Sequence, residues 1–423
     1  MVSDHRKNLF GGGSGLLLCA LLLVACSRPP EPASRQELGL HTFASRLIGD
    51  RDAGVPWITH LIIVDFDQDG RPDVLACEGR LNQLRWLRQT APGEFSEQIL
   101  AENLPGPAQV QAVDFDGDGD LDLLVACMGV VMPSNERIGS VVVLENLGNL
   151  QFERRVLLEN VARVSSVTAG DLDADGDLDL VVGQFGYFEG EVRWLENLGG
   201  WDFRSHSLLE LPGTIHTPVA DMDGDGDLDI VMLVSQNSEE IYLAENDGRG
   251  AFTLRVLWGS TNKDFGSSGI ALADIDGDGD LDIAYTNGDG FDYATPGARP
   301  WHGVQWLENR GSGQFEYHRI GDVSGSYSPV VVDLDGDGDQ DLVVVSGFND
   351  WRRPDAVALV CFENVGEARF EPRVLAYAPT HLIVAAAADL DADGRVELVT
   401  GGLSFYGAVE RAQRLTLWKR RQR

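Results

Sequence analysis

Aspartates at a fixed spacing are the residues of this sequence with the clearest chemical potential. One run begins at Asp114 and reads Asp-Phe-Asp-Gly-Asp-Gly-Asp-Leu-Asp, with carboxylates at positions 1, 3, 5 and 9 and Gly119 at position 6. Alternating oxygens ahead of a glycine let a short loop curl around one hard cation, and Ca²⁺ accepts about six to eight oxygen ligands. Glycine suits the sixth position because a sharp turn needs backbone angles that a Cβ disfavours. The spacing therefore predicts a calcium loop.

The electrostatics of such a loop also favour a bound cation. Two carboxylates about 4 Å apart repel by roughly 1 kcal/mol in water and by roughly 4 kcal/mol near a protein surface. A divalent cation turns this repulsion into attraction. Mg²⁺ is less suited than Ca²⁺ because it demands strict octahedral geometry and retains its water.

Seven copies of the loop occur in the chain, and their first residues lie 49 to 59 residues apart. The predicted ligands, copy by copy, are Asp65, Asp67, Asp69 and Asp73; Asp114, Asp116, Asp118 and Asp122; Asp171, Asp173, Asp175 and Asp179; Asp221, Asp223, Asp225 and Asp229; Asp274, Asp276, Asp278 and Asp282; Asp333, Asp335, Asp337 and Asp341; Asp389, Asp391, Asp393 and Glu397. The first copy departs from the pattern at Gln68 and Arg71, and the seventh at Arg395 and Glu397. The sequence predicts up to seven bound Ca²⁺ ions.

The residues around each loop indicate strands. An EF-hand would carry Glu at position 12 between helices, whereas position 12 is Ala76 in the first copy and Val125 in the second. Short apolar runs flank each loop, and a later run ends in Glu-Asn, as at Glu145 and Asn146, before a Gly turn and a segment that begins with Phe152. Each repeat thus predicts four strands, which is the content of one propeller blade.

These repeats resemble the FG-GAP/VCBS repeat, the calcium-loop repeat of integrin α-subunit propellers and many bacterial surface proteins. The resemblance covers residues 38–423 and implies an all-β, seven-bladed propeller of four-stranded blades, with metal ligands at positions 1, 3, 5 and 9 of each loop. A period of this length is typical of such arrays.

The two ends of the repeat region predict how the ring closes. The last copy stops after a third strand near residues 414–419 and lacks the strand that begins with Phe. Residues 42–48 carry the same Phe-x-x-Arg pattern ahead of the first loop. We expect this segment to complete the seventh blade, which leaves only short, protected strand edges.

The first 37 residues read as a targeting segment and a tether. Residues 1–25 combine a charged start with a short apolar core, as in a signal peptide. The run that ends at Cys26 resembles a bacterial lipobox, which implies lipidation of Cys26 and an outer-membrane lipoprotein that faces the periplasm or the exterior. The alternatives are an ordinary signal peptide or a helical anchor. Residues 26–37 form a Pro-rich tether, and we expect the rest of the chain to lie outside the cytoplasm.

Charge and cysteine content narrow the partners and the redox chemistry. The net charge is −34, and the seven loops hold 33 of the 67 acidic residues, so the acidity is mostly ligand chemistry and argues against nucleic acid as a partner. Cys361 stands where other repeats carry Trp and reads as a core residue. Cys77 and Cys127 are either a disulfide or two buried thiols.

The loops between second and third strands differ from blade to blade, and variable loops on a rigid frame are the usual place for recognition. We place them at 128–139, 184–190, 287–302, 347–355 and 402–408. Their aromatic residues are Phe185, Tyr187, Phe188, Phe291, Tyr293, Trp301, Phe348, Trp351, Phe405 and Tyr406, with Arg352 and Arg353 beside Trp351. Exposed aromatics suit sugar rings or a protein partner. The alternative is that they fold back over the blades as plugs.

Three histidines add a second candidate site. His60 and His216 each lie five residues before the first Asp of a loop, and His381 lies just ahead of the last first strand. We expect residues at this five-residue offset to surround the central channel, as a polar lining or as a metal or general-base pair. The sequence predicts a monomeric envelope module that binds or scaffolds a glycan or protein. The alternative is an enzyme like a polysaccharide lyase or sugar dehydratase that uses His60, His216, Arg352 and Arg353.

Overall fold

Each predicted repeat forms a four-stranded antiparallel sheet, and seven such sheets make up the structure. The structure is a computed structural model that describes residues 37–50, 54–291, 295–311 and 313–421. All regular elements of these residues are β-strands. Within the same ranges, no helix has the length and apolar character needed to cross a bilayer. The expected fold class, an all-β propeller with seven four-stranded blades, is confirmed.

The strands follow one another as an up-and-down meander in each blade. The chain begins with β1 (Phe43–Ile48) and continues through blade 1 with β2 (Ile58–Val64), β3 (Asp73–Glu78), β4 (Gln83–Ala91) and β5 (Glu94–Ala101); blade 2 with β6 (Pro107–Val113), β7 (Asp122–Cys127), β8 (Gly139–Asn146) and β9 (Phe152–Val161); and blade 3 with β10 (Arg163–Gly170), β11 (Asp179–Phe185), β12 (Glu191–Asn197) and β13 (Phe203–Leu209). Blade 4 contains β14 (Thr214–His216), β15 (Val219–Ala220), β16 (Asp229–Ser235), β17 (Glu239–Asn246) and β18 (Phe252–Ser260); blade 5 contains β19 (Ser267–Ala273), β20 (Asp282–Asn287), β21 (Gly303–Asn309) and β22 (Phe315–Asp322). Blade 6 contains β23 (Ser326–Val332), β24 (Asp341–Ser346), β25 (Leu359–Asn364) and β26 (Phe370–Ala376); blade 7 contains β27 (Leu382–Ala388), β28 (Glu397–Gly402) and β29 (Leu415–Arg420).

The ring closes through the N-terminal strand, as the sequence predicts. β1 pairs antiparallel with β29 from Phe43 opposite Arg420 to Ile48 opposite Leu415, and so supplies the fourth strand of blade 7. A hydrophobic cluster that contains Ile58 of blade 1 and Val399 of blade 7 fills the space between the first and last blades. The two ends of the repeat region therefore share one sheet.

The hydrophobic core lies between blades rather than inside any one of them. Every β-sheet face buries its apolar side chains against the next blade, for example Trp86 of blade 1 against Val110 and Leu123 of blade 2. Second strands are buried along their whole length, as β7 is, which explains their unbroken apolar runs. Fourth strands such as β9 alternate between exposed and partly buried residues because they form the outer edge. Seven clusters of this kind hold adjacent blades together.

Each first strand carries an irregularity at the same place. In all seven blades the register of pairing with the second strand shifts around the residue five positions before the metal loop. These seven residues, which we call the channel ring, are His60, Gln109, Ser166, His216, Gly269, Ser328 and Val384. A bulge of this kind bends the strand and frees a backbone N–H from the ladder. In blade 4, Pro218 splits the strand further, since it has no N–H to donate.

The three cysteines that the structure describes are thiols. Cys77, Cys127 and Cys361 are free and buried, and burial raises the pKa of each thiol above its ordinary value. Of the two readings left open for Cys77 and Cys127, the structure supports buried thiols. Cys361 pairs with Val343 in the same register as Trp194 with Val181, so its expected core position is confirmed.

Loss of the closing strand's core contact should weaken the whole ring. Phe43 is 4% exposed and packs in the cluster that contains Trp418. Phe43→Ala should lower the free energy of unfolding by about 3–5 kcal/mol, measured by urea denaturation of residues 35–423, which form one compact unit. Leu40→Ala is the control, because Leu40 is 40% exposed and precedes the strand. Equal stability of the two variants would contradict closure through β1.

Candidate metal loops and the mouth of the central channel

The first aspartate of each metal loop organises the turn from inside. In every loop the glycine at position 6 donates its N–H to the carboxylate at position 1, for example Gly119 N to Asp114 Oδ2 at 3.1 Å. All seven glycines have positive φ, between 80° and 99°. The glycine requirement inferred from the sequence is met at this position, because side chains rarely adopt that backbone conformation.

The carboxylate at position 9 ties the loop to the blade. Asp122 is fully buried; its Oδ2 accepts the N–H of Phe115 at 3.0 Å and its Oδ1 accepts the N–H of Asn146 at 2.7 Å. Blades 3 to 6 repeat both bonds. Burial raises the pKa of these carboxyls to about 6 at Asp122 and about 7 at Asp341. A nearby cation would favour the charged form of each group.

Several loops gather their carboxylates closely enough to share an ion. Oxygen atoms of Asp114, Asp116 and Asp122 lie within 4.8 Å of one another. The same limit holds for three sets at positions 1, 3 and 5, which are Asp65, Asp67 and Asp69; Asp171, Asp173 and Asp175; and Asp221, Asp223 and Asp225. Oδ1 is buried without a hydrogen-bond partner in five of the predicted ligands, which are Asp67, Asp114, Asp171, Asp173 and Asp391. Buried polar atoms ordinarily find a partner, so these oxygens and the donor set fit a hard cation.

The Glu-Asn pair at the end of the third strand in blades 2 to 6 links neighbouring segments, a role that its spacing in the sequence did not indicate. Asn309 Nδ2 donates to the carbonyl of Met222 in the preceding blade at 2.8 Å, and its Oδ1 accepts the N–H of Gly311 at 3.1 Å. Glu308 lies beside the metal loop and raises the pKa of Asp276, whose largest cause of elevation is its own burial. The recurrence of Glu-Asn in five blades was the feature of the sequence that could have indicated this contact between blades.

A cavity of about 640 Å³ occupies the central channel and draws lining residues from all seven blades. Its wall includes the channel ring, as the five-residue offset predicts. His60 lies within β2 and His216 ends β14, so both belong to strands rather than to the segments before them. His381 is not in the channel wall; it is buried, with Nε2 2.9 Å from the carbonyl oxygen of Tyr406.

Side chains of the channel ring link most blades to the next. Four of them accept a backbone N–H from the following blade: His60 Nδ1 from Val110 (3.3 Å), Gln109 Oε1 from Val167 (2.8 Å), Ser166 Oγ from Thr217 (3.2 Å) and Ser328 Oγ from Ala385 (3.0 Å). His216 differs from these four, because burial lowers its pKa but its backbone hydrogen bond with Ser268 raises it, so its imidazole donates to the Ser268 carbonyl. Between blades 5 and 6 both partners are missing, because Gly269 has no side chain and Pro329 no N–H. Ring side chains thus satisfy released donors at four of the seven junctions. At the junction of blades 7 and 1 the ring residue is Val384, which has no acceptor.

The two channel histidines are neutral. Both imidazoles are partly exposed to the channel but deeply enclosed by protein, and this burial lowers the pKa of His60 and of His216 to about 4. The proximity of His216 lowers the pKa of His60 further. Because Nδ1 of His60 accepts the N–H of Val110, it carries no proton. The arrangement favours the polar-lining reading of these residues.

Arg163, Phe185 and Tyr187 line the cavity on the side of blades 2 and 3. Arg163 stacks over Phe185 at 4.7 Å and Tyr187 at 5.7 Å, and its Nη1 donates to the carbonyl of Met132 at 3.2 Å. Tyr187 lines the cavity, while Phe188 beside it is 81% exposed. Sequence reasoning missed Arg163. Its signal was that four of the other six blades carry glycine three residues before the channel ring.

On the side of blades 5 to 7 the aromatic residues form a plug. Phe291 stacks on Phe405 at 4.8 Å, Phe348 stacks on Tyr406 at 5.3 Å, and Trp351 is buried against His381. The Tyr406 hydroxyl donates to the carbonyl of Gly347 at 3.2 Å. For this group the alternative reading, that loop aromatics fold back over the blades, is the one observed.

The remaining residues predicted for the ligand face do not meet at one place. Trp301 Nε1 donates to the carbonyl of Asp264 at 2.7 Å. Arg352 pairs with Asp350 and Arg353 with Asp355, both on the exposed surface and away from the cavity wall. Tyr293 and Cys26 lie outside the described residues, as do residues 1–36 with the predicted signal peptide and most of the tether. The loops of blades 6 and 7 also extend further than predicted, to the starts of β25 and β29.

Comparison with known proteins agrees with the repeat architecture. The FG-GAP-like repeat family matches the chain in three places, residues 65–125, 221–285 and 286–344. The chain therefore carries FG-GAP-like repeats and builds a seven-bladed β-propeller from them. A search of curated proteins found no match.

Solved structures resemble the chain in fold. Crystal structures of BBS1N in complex with ARL6DN, soaked with mercury and with lead, superpose with TM-scores of 0.52 and 0.53 at 11% identity. The alignments cover 91% and 90% of this chain and 98% and 97% of those chains. At this identity the similarity concerns the fold alone.

The channel histidines should make the protein sensitive to acid. The pKa of His60 is lowered from 6.5 to about 4 in the folded state. Between these two pH values the imidazole binds a proton in the unfolded chain but not in the folded chain. The contribution of His60 to stability is therefore complete above about pH 6.5 and is lost as pH falls toward 4. His60→Gln, which copies Gln109, should reduce the loss between pH 7.5 and 5.0 by on the order of 1 kcal/mol. Urea denaturation in saturating calcium measures it, with exposed His41→Gln as control. An unchanged pH dependence in His60→Gln would refute the assignment.

Proposed function

We propose that this protein is a calcium-stabilised, lipid-anchored propeller of the bacterial envelope that binds a glycan at the mouth of its central channel. The observation that carries the proposal is the cavity of about 640 Å³, whose wall combines aliphatic first-strand residues with aromatic rings, neutral polar groups and two charged residues, Arg163 and Asp289. Its volume falls within the range of roughly 300–1,000 Å³ typical of small-ligand sites.

The chemistry of the cavity wall supports a carbohydrate. Tyr187 and Tyr327 are aromatic groups with a polar end among apolar first-strand residues. The hydroxyls of Ser165, Ser268 and Thr217 also line the wall, but they already donate to Thr214 O, Ser326 O and Ser166 Oγ, which leaves them only as acceptors. Aromatic faces pack against the C–H surfaces of sugar rings, while hydroxyl and amide groups exchange hydrogen bonds with sugar hydroxyls. A protein partner would use a flatter surface, for which exposed Phe188 is the best candidate at this end.

Catalysis is the second candidate. His60 and His216 meet in the cavity, and a neutral imidazole can act as a general base. The two arginines predicted to assist them lie elsewhere and pair with aspartates. Arg163, the arginine at the mouth, stacks on aromatic rings and donates to loop carbonyls. Binding is therefore the better supported activity.

Calcium belongs to this proposal because of the loop chemistry. Residues at positions 1, 3, 5 and 9 would hold the ion, and the ion would neutralise carboxylates that otherwise repel one another. Residues 1–25 and Cys26 supply the proposed export signal and lipid anchor. Several acyl chains on one cysteine would hold the propeller stably at the membrane, whereas a single chain is marginal.

Glycan binding can be tested with residues 35–423 on an array of envelope polysaccharides and neutral oligosaccharides. Tyr187→Ala should weaken binding at least about tenfold, equivalent to about 1.4 kcal/mol, because it removes an aromatic face of the mouth. Leu198→Ala is the matched control, since Leu198 is 50% exposed in a turn on the opposite, metal-loop face. Absence of any bound glycan, or equal loss in both variants, argues against the site.

Chelation should destabilise the fold. A ligand at about 100 times its dissociation constant adds about 2.7 kcal/mol to the free energy of unfolding, so removal of several ions should lower the melting temperature by more than about 10 °C. Differential scanning calorimetry with EDTA, followed by CaCl₂ or equimolar MgCl₂, measures the effect, and only calcium should restore the melt fully. An unchanged melt together with no calcium in elemental analysis excludes the role.

A further inference from the structure

The seven metal loops fall into two classes that differ at two positions outside the predicted ligands. The first is position 7 of the loop, and the second is the residue that begins the Glu-Asn pair of the third strand. In blades 2 to 6 both positions are acidic: Asp120 and Glu145, Asp177 and Glu196, Asp227 and Glu245, Asp280 and Glu308, and Asp339 and Glu363. In blades 1 and 7 both are basic: Arg71 and Arg88, and Arg395 and Lys419.

Strand register establishes that the third-strand positions are equivalent. In blade 2, Leu123 directly after the position-9 carboxylate pairs with Leu144, and Glu145 follows. In blade 1 the corresponding pair is Val74 with Leu87, so that Arg88 takes the place of Glu145. In blade 7, Leu398 pairs with Trp418, and Lys419 takes that place. Arg88 and Lys419 therefore occupy the same strand position as Glu145, although neither blade 1 nor blade 7 contains a Glu-Asn pair.

In blade 1 the basic side chains contact the predicted ligands themselves. Arg88 Nε lies 2.5 Å from Asp67 Oδ2, and its Nη2 lies 3.3 Å from Asp69 Oδ2. Arg71 forms a second ion pair with Asp69. The carboxylates at positions 3 and 5, which would face an ion, are thus already paired with two guanidinium groups.

Blade 7 repeats this arrangement with different residues. The Lys419 ammonium pairs with Asp391 at position 3, and Arg395 pairs with Asp393 at position 5. In blades 2 to 6 the third-strand glutamate instead pairs outward with a basic residue of the fourth strand, as Glu145 does with Arg155. Two separate blades therefore use the same two positions to direct cations into the loop.

Charge explains why this matters for metal binding. A loop of blades 2 to 6 carries six carboxylates, at positions 1, 3, 5, 7 and 9 and on the third strand, whereas a loop of blade 1 or 7 carries four carboxylates and two cations. These six positions alone sum to −6 in one class and −2 in the other, and a basic residue paired with the third-strand glutamate partly offsets the first sum. Two protein cations have replaced one dication, and a Ca²⁺ ion would have to displace them or lie beside them against their repulsion.

We infer that the protein takes five Ca²⁺ ions, one in each of blades 2 to 6, and that the loops of blades 1 and 7 are metal-free and held by their own basic side chains. This inference rests on the proposed calcium binding and narrows the prediction of up to seven ions to five. One oxygen in each metal-free loop, Oδ1 of Asp67 and of Asp391, still lacks a hydrogen-bond partner, but the other oxygen of each carboxylate is paired with a cation.

The two metal-free loops lie in the blades next to the closure of the ring, and we connect their internal cations with the stability of that closure. Blades 7 and 1 flank the junction at which β1 closes the ring, and their shared cluster contains Ile48, Ile58 and Leu415. Internal cations make this junction independent of the calcium supply. When calcium is scarce, blades 2 to 6 loosen first and the closure stays intact.

Native mass spectrometry of residues 35–423 in calcium tests the count. Five bound ions are expected. Six or seven ions in the wild-type protein would overturn the inference while they leave calcium binding itself intact. No bound ion would instead overturn the calcium proposal and this inference with it, so the two failures are distinguishable.

A gain-of-site variant tests the cause. Arg71→Asp with Arg88→Glu gives blade 1 the charges of blade 2 and should raise the count from five to six ions. A folded variant that still binds five would show that the basic residues do not decide metal occupancy. Asp118→Ala, which removes a position-5 ligand of blade 2, is the matched loss and should reduce the count to four.

The reverse exchange, in blade 2, tests the inference independently if the blade 1 variant does not fold. Asp120→Arg with Glu145→Arg gives blade 2 the charges of blade 1 and should reduce the number of bound ions from five to four. Its circular dichroism spectrum and its cooperative thermal unfolding in calcium should be retained. A count of five in this variant would overturn the inference.

Discussion

A buried carboxylate at the start of each second strand holds the blade together at its most irregular point. Asp122 accepts one N–H from the metal loop and one from the end of the third strand, so three segments meet on a single side chain. The same pair of bonds recurs in blades 3 to 6, and blades 1 and 7 keep part of it through Asp73 and Glu397. A buried carboxylate is tolerated because both oxygens are hydrogen-bonded. Because the position-9 carboxylate faces the interior of the blade, the other acidic side chains of the loop can all be exposed on one side.

Adjacent blades are joined by a second recurring device at the channel. The bulge in each first strand frees an N–H, and at four junctions a ring side chain of the preceding blade accepts it, as Gln109 does from Val167. Polar channel residues that would suggest catalysis are therefore largely engaged in holding blades together. At Gly269 and Pro329 donor and acceptor are lost together, whereas at Val384 only the acceptor is lost.

The repeated frame leaves few places where a specific function can reside. The metal-loop face repeats seven times with changes of charge only, whereas the opposite face is divided. Around blades 5 to 7 the loops pack on one another through Phe291, Phe348 and Phe405. Around blades 2 and 3, Arg163 and Tyr187 line the cavity. Recognition is expected where the symmetry of the repeat is broken.

The sequence alone determined the blade count, the four strands of each blade, the glycine turns and the closure by residues 42–48. These features depend on local spacing, on the two-residue period of strands and on a pattern that the chain repeats seven times. Tertiary structure decided which loop aromatics form a plug and which line the mouth, because the direction of a side chain in a long loop depends on the neighbouring blade. It also decided that Arg88 and Lys419 enter the metal loops. Those residues lie 19 and 28 positions from the aspartates they contact, and only the strand register brings them there.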